Sequence, residues 1–274
     1  MKYIMSGDEG LIGTFLSKRL KKEKHECVMS IDLKNNENVN GLQYMGNIKA
    51  DMFIHLAAQC KINEAIKHPM LPFKNNVEGI HNVLEYCKRN EIPKIMVASS
   101  SRVLSPQKNP YTASKIYVEE LTKGYSDCYG LEYIIIRPST VYGPKKDVTP
   151  RLMHTWVENA YKDKEMPVFG DKDKTLDFTY ISDFVDATML LINNWDNAKN
   201  QAYNISGDQE TKVVDVGNMI IKEMSGGHLE FYPEEIAQPQ KVHVDTELIK
   251  VFGYKPKVGI KKGIKKMCDY FKNE

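Results

Sequence analysis

A tyrosine and a lysine four residues apart stand in the run Asn109-Pro110-Tyr111-Thr112-Ala113-Ser114-Lys115. On a helix that spacing puts both side chains on one face. Asn109 suits the N-cap and Pro110 the first helical position, so a helix is expected to open here and to run to about residue 125. An ammonium beside a phenol favours the phenolate. Tyr111 is therefore expected to have a lowered pKa and to move protons near neutral pH. By itself the pair is a common feature of helix surfaces, and its chemistry needs a cofactor and a hydroxyl donor elsewhere in the chain.

Those partners are sought at the ends of expected strands. Residues 2–5 read as a short buried strand, followed by Gly7-x-x-Gly10-x-x-Gly13 and a helical pattern to about residue 20. Strand, glycine turn and helix form the context in which such a spacing marks a dinucleotide site. Gly7 permits the turn, Gly10 lets the backbone approach a pyrophosphate, and Gly13 lets the helix pack on the strand. Leu11 and Ile12 open the helix, where an anion binds. A second strand over residues 27–31 ends at Asp32, 19 residues past Gly13. A carboxylate there accepts hydrogen bonds from ribose hydroxyls and repels a 2′-phosphate, which favours NAD over NADP. Lys34 pulls the other way. A third strand, residues 51–56, closes with Ala57-Ala58, small residues that leave room for a ligand, while His55 reads as a packed strand histidine. A fourth, residues 94–98, runs into Ser99-Ser100-Ser101, whose hydroxyls face the same crevice.

The chain has 274 residues, 42% hydrophobic and 27% charged, with a net charge of +2. That balance is ordinary for a soluble globular protein and gives no field that selects nucleic acid or an anionic membrane. Five scattered cysteines without a Cys-x-x-Cys pair, and histidines without ligand spacing, indicate no metal site and fit reduced thiols in the cytoplasm. The first apolar run is too short for a signal peptide or a membrane span. Helices are expected over residues 61–67 and 75–90, with Pro69 and Pro72 bracketing a loop between them, and a strand over 133–137. This β-α alternation implies an α/β fold with a doubly wound parallel sheet over residues 1–148. A smaller α+β substrate domain is expected over residues 149–274. Within it lie a helix over 150–161, a strand over 176–181, short strands at 202–205 and 229–231, and helices over 213–224 and 258–271. A helix over 184–193, capped by Ser182-Asp183, is expected to return with residues 181–206 to the first domain.

Together these stretches resemble the extended short-chain dehydrogenase/reductase family, in its NAD-dependent epimerase/dehydratase branch. The likeness rests on the three glycines, Asp32, His55-Leu56-Ala57-Ala58, Asn76-Val77-Glu78-Gly79, Ser99-Ser100-Ser101, Tyr111-x-x-x-Lys115, Arg137-Pro138, Val141-Tyr142-Gly143-Pro144 and residues 177–183. It implies a Rossmann sheet of seven strands, a nucleotide-sugar substrate, a homodimer, and no nucleic-acid or membrane partner. It implies that Ser100, Tyr111 and Lys115 are catalytic, with Lys115 also holding the nicotinamide ribose. The implied cofactor residues are Gly7, Gly10, Leu11, Ile12, Gly13, Asp32, Leu33, Leu56, Ala57, Ala58, Asn76, Ser99, Tyr111, Lys115 and Pro138. The expected substrate residues are Ser100, Ser101 and Thr140, with Lys241 as the cation available in residues 232–244, which contain no arginine.

Four features depart from the resemblance. Ser101 and Arg102 stand where dehydratases of this family carry Asp-Glu, which argues against elimination of water. The loop from Ser100 to Tyr111 is short. Leu176 replaces a phosphate-pairing arginine, and Thr140 a common asparagine. The expected activity is NAD-dependent epimerisation of a nucleotide-diphosphate sugar through a keto intermediate. The alternatives are an NAD(P)H-dependent reductase of a 4-keto nucleotide sugar and a non-catalytic dinucleotide-binding relative.

Overall fold

The computed structural model describes residues 1–35, 37–145, 150–207, 209–237 and 244–273. The first half alternates strands and helices. It runs β1 (Lys2–Ser6), α1 (Leu11–Lys22), β2 (Glu26–Ile31), β3 (Met52–His55), α2 (Ile62–Lys67), α3 (Met70–Pro72), α4 (Gly79–Arg89), β4 (Lys94–Ala98), α5 (Pro110–Tyr129) and β5 (Glu132–Pro138). Helix α5 opens as its sequence requires. The Asn109 side chain accepts from the Thr112 amide at 2.9 Å, and Pro110 fills the first turn. It runs one turn further than expected, to Gly130, which closes it with φ +70°.

The loop expected around Pro69 and Pro72 is instead helical. Pro69 caps α3, and Pro72 lies in the first turn, where a missing N–H costs nothing. The turn Phe73–Glu78 then widens to a π-helix before α4. A widened turn of this kind re-aims side chains and is common near functional sites.

The second half contributes β6 (Thr140–Tyr142), α6 (Leu152–Tyr161), β7 (Glu165–Phe169), β8 (Thr175–Tyr180), α7 (Ile181–Asn193), α8 (Trp195–Ala198), β9 (Gln201–Ile205), β10 (Glu210–Lys212), α9 (Val213–Met224), β11 (His228–Tyr232), α10 (Glu247–Lys250) and α11 (Ile260–Asn273). Ser182-Asp183 does not cap α7, whose N-cap is Tyr180 and has no side-chain bond. The Asp183 carboxylate, 3% exposed, instead accepts from the amides of Lys257 at 3.1 Å and Val258 at 2.9 Å. It therefore ties α7 to the chain that leads into α11.

The main sheet has the order β2-β1-β3-β4-β5-β9, all parallel. Among the described residues it has six strands, one fewer than the resemblance implies. Its inner strands β1, β3, β4 and β5 are largely buried on both faces, as parallel strands covered by helices must be, whereas the edge strand β2 is mostly open. One apolar cluster includes Leu16 and Leu20 of α1 with Phe184 and Leu191 of α7. The other packs Val83 and Leu84 of α4 and Val118 of α5 under Ile4, Phe53 and Ile95. The chain leaves β1 for β2 on one side and returns to β3 on the other, so the strand order reverses between β1 and β3. Ligands of such sheets bind at the carboxyl ends beside that reversal. Two smaller sheets, β10-β8-β6 and β11-β7, lie outside this one.

Removing the Asp183 carboxylate strands two amides. Asp183→Ala is expected to lower the unfolding free energy by about 2–3 kcal/mol in urea titrations, whereas Ser182→Ala should stay within about 0.5 kcal/mol. Equal effects would restore the capping role to both residues.

Candidate active site

The loop after β1 is shaped by the protein's own packing. Gly7 has φ +81°, and a Cβ there would stand 2.7 Å from the Ala57 backbone nitrogen. At Gly13 a Cβ would stand 2.1 Å from the Gly7 carbonyl oxygen. Both positions must be glycine for β1, β3 and α1 to meet. Gly10 differs. A Cβ on it would meet nothing closer than the Gly7 oxygen at 3.4 Å, an ordinary contact. The packing leaves open space above Gly10, the N-cap of α1. First-turn amides of a helix lack intrahelical partners and carry its positive end. Those amides and that space fit a dinucleotide's pyrophosphate.

Asp32 stands beside this loop. One carboxylate oxygen accepts from the Glu9 amide at 3.1 Å and the other from the Lys34 amide at 3.0 Å. The group is aimed, with lone pairs left for ribose hydroxyls. The Lys34 ammonium lies 3.9 Å from the Glu9 carboxylate, so it has an acidic neighbour of its own. Leu33 is 67% exposed beside Asp32. Lys145, which sequence reading missed, reaches back from beyond β6 to donate to the Glu9 carbonyl at 2.8 Å and to the Thr14 hydroxyl. Nothing in its sequence neighbourhood signals that placement.

At the end of β4, Ser99, Ser100 and Ser101 are all buried. The Ser99 hydroxyl turns away from the crevice and donates to Glu119 at 2.5 Å. Glu119 also pairs with Arg137 through two N–H groups. Ser100 caps a short turn by accepting from the Arg102 amide at 3.2 Å, and its hydroxyl is near enough to the Tyr111 phenol to favour the phenolate. Ser101 and Thr140 line one cleft, together with Arg102, Leu176 and Asp177. Leu56, Ala57 and Ala58 are partly exposed where the chain leaves β3, and Pro138 ends β5. Lys241 lies outside the described residues.

Asn76, in the π turn, is a clip. Its side chain accepts from the Gln59 amide at 2.8 Å and donates to the Gln59 carbonyl and to the Ser114 hydroxyl. Ser114 in turn donates to the Tyr111 carbonyl at 2.7 Å. The chain after β3 is thus locked to the first turn of α5.

Tyr111 and Lys115 do share a face, but the expected lowering of the tyrosine pKa is not what the geometry produces. Burial pushes the Tyr111 phenol up to about 12, and the Cys60 thiol adds to the rise. The nearby Ser100 hydroxyl opposes it, followed by the charges of Arg151 and Arg102. Lys115 spends its ammonium on the Ala98 carbonyl, 2.8 Å away, and burial pulls its own pKa down to about 8. For each group desolvation is the largest influence, which disfavours the phenolate and weakens the hold of Lys115 on its proton. His55 is held neutral by burial and then by Lys115, down to about 3, and bonds the Ser6 hydroxyl at 2.7 Å. Cys60 and Arg102 are the neighbours that sequence reading did not count as site residues. The only signal for Cys60 is its position two residues beyond Ala58, and for Arg102 its departure from the family pattern two residues beyond Ser100.

A model of the NAD dependent epimerase/dehydratase family matches residues 3–206. A Methanocaldococcus jannaschii protein provisionally named as a UDP-glucose 4-epimerase is 29% identical, with 98% of each chain covered. The solved structure of the Thermotoga maritima UDP-glucose 4-epimerase with UDP-glucose superposes with a TM-score of 0.90 at 21% identity, covering 100% of this chain and 99% of that one. The Streptomyces venezuelae dTDP-glucose 4,6-dehydratase with NAD gives 0.91 at 17% identity, covering 100% and 98%. At those identities the two structures speak for the fold.

Two outcomes test the site. Gly10→Ala is expected to keep unfolding stability within about 1 kcal/mol while weakening NAD binding at least about tenfold, and Gly13→Ala to cost about 3 kcal/mol or more. Loss of stability in both would deny Gly10 a ligand-facing role. The second concerns pH. The folded pKa of Lys115 lies near 8, below its ordinary 10.5, so the unfolded chain binds the extra proton between those values. Wild-type stability should therefore rise relative to Lys115→Met by about 3 kcal/mol as pH climbs from 8 to 10.5. A difference that stays flat in paired urea titrations would contradict the buried ammonium.

Proposed function

The chain belongs to the NAD-dependent epimerase/dehydratase family, and from that membership we propose that it is an epimerase acting on a nucleotide-diphosphate sugar through a transient keto sugar. The observation that carries this reading is the Ser100 hydroxyl buried close to the Tyr111 phenol, one helical turn from Lys115 at the end of β4. NAD, when bound, would supply reversible hydride transfer at the sugar carbon. Tyr111 receives the proton of the reacting hydroxyl and later gives it back. Ser100 hydrogen-bonds the oxygen as it becomes a carbonyl. Lys115, one helical turn from Tyr111, orients the nicotinamide ribose and places a cation near the developing phenolate. Arg102 and Arg151 add to that field.

Asp32 holds the adenosine ribose, and the first turn of α1 with Gly7, Gly10 and Gly13 seats the pyrophosphate. Residues 1–148, with 181–206, form the cofactor domain, and the remainder of 149–274 closes over the sugar. Ser101 and Arg102 offer no carboxyl group for the acid and base steps of dehydration, which supports epimerisation over elimination. The exposed Phe73, Tyr117 and Tyr129 on the α4–α5 side support a homodimer through that face. Among the described residues no helix is long and apolar enough to cross a membrane, and the free cysteines suit the cytoplasm.

Tyr111→Phe is expected to reduce interconversion of the sugar epimers, followed by anomeric NMR signals, at least about a thousandfold while NAD affinity stays within about threefold. Retained turnover would remove Tyr111 from the chemistry. Denatured, freshly purified protein should release oxidised NAD near one per chain, because an epimerase regenerates its cofactor. Empty protein that consumes only reduced cofactor would point to the reductase.

A further inference from the structure

The backbone amide of Arg102 donates to the Ser100 hydroxyl at 3.2 Å, so the arginine is tied directly to the reacting centre. Arg102 lines a cleft whose other polar walls are the hydroxyl residues Ser101, Ser139, Thr140 and Thr175 and the acidic Asp177. Among the described residues Arg102 enters no ion pair, and its guanidinium makes no hydrogen bond. Asp177 and the Tyr111 phenol act on it through their fields alone, and burial lowers its pKa from the ordinary value. Lys174 lies close enough for the two cations to repel each other. A guanidinium carries five fixed N–H donors, and holding them unbonded in a half-buried cleft is costly unless an acceptor arrives.

We propose that Arg102 is a specificity-determining residue that binds a carboxylate carried by the sugar, so that nucleotide-linked uronates are preferred over neutral hexoses. The inference rests on the nucleotide-sugar reading above. Two facts favour a carboxylate on the sugar over the diphosphate. Ser100 and Tyr111 must both touch the reacting hydroxyl, and the Arg102 charge is near enough to act on the Tyr111 phenol, which puts it on the sugar side of the site. The diphosphate leaves from the anomeric end, further off. A planar carboxylate also matches the guanidinium fork in a two-point contact that a lysine cannot reproduce.

The test is calorimetric binding to the NAD-loaded protein, which separates recognition from any effect of Arg102 on Tyr111. UDP-glucuronate is compared with UDP-glucose, and dTDP-glucuronate with dTDP-glucose. Wild type is expected to bind the uronate at least about tenfold more tightly within the pair of the better-bound nucleotide. Arg102→Gln should bring that ratio to about one, and Arg102→Lys, a milder change in case the first fails to fold, should cut it at least about threefold. A wild-type ratio near one, or a ratio unchanged in the variants, overturns the inference and leaves the nucleotide-sugar reading standing. Failure of every nucleotide sugar to bind overturns that reading and the inference with it.

Discussion

Two groups that prefer water, a phenol and an amine, are buried one helical turn apart where β4 meets α5. Tyr111 is 7% exposed and Lys115 3%. Burial penalises the ionised form of each and is the largest influence on both, so the tyrosine rests protonated near pKa 12 and the lysine falls to about 8. The pair is poised in a state that does not favour proton transfer at neutral pH. A positive charge brought into the crevice would favour phenolate strongly, because a low-dielectric site magnifies Coulomb energies. In the proposed reaction that charge comes with oxidised NAD, and the frame of the molecule would bring it there.

The frame does so through contacts too close for side chains. Gly7 lies against the Leu56–Ala57 backbone, and Gly13 against the Gly7 carbonyl, which fixes α1 over the ends of β1 and β3. From there Gln59 is clipped by Asn76, Asn76 by Ser114, and Ser114 by the carbonyl of Tyr111. The glycine loop and the tyrosine are thus linked through a chain of backbone approach and buried hydrogen bonds. Rigid support of this kind is what keeps reacting groups within a fraction of an ångström.

Much of this was legible in the residues. The glycine spacing, the Asp32 position and the Asn109-Pro110 cap each follow from local rules, and the structure carries all three. What was not legible depends on distant contacts. Pro72 reads as a loop marker, yet it falls in the one helical turn that tolerates it. Ser182-Asp183 has the pattern of a cap, yet Asp183 bonds amides more than seventy residues away. Spacing alone predicts a lowered Tyr111 pKa. It carries no information on desolvation or on the Ala98 carbonyl that claims Lys115. Arg102 was visible as an oddity of sequence, but its unbonded guanidinium in the cleft appears only in three dimensions.

The central claim is that burial holds Tyr111 neutral until a cation joins it. Its most direct test is the ring-carbon NMR shift of Tyr111, assigned by comparison with Tyr111→Phe and titrated with pH in cofactor-free and NAD-loaded protein. The account predicts a pKa near 12 without cofactor, as burial gives it, and a downward move of two units or more, on the order of 3 kcal/mol, with oxidised NAD bound. A value already near neutrality in the cofactor-free protein, or one that NAD leaves in place, would contradict it.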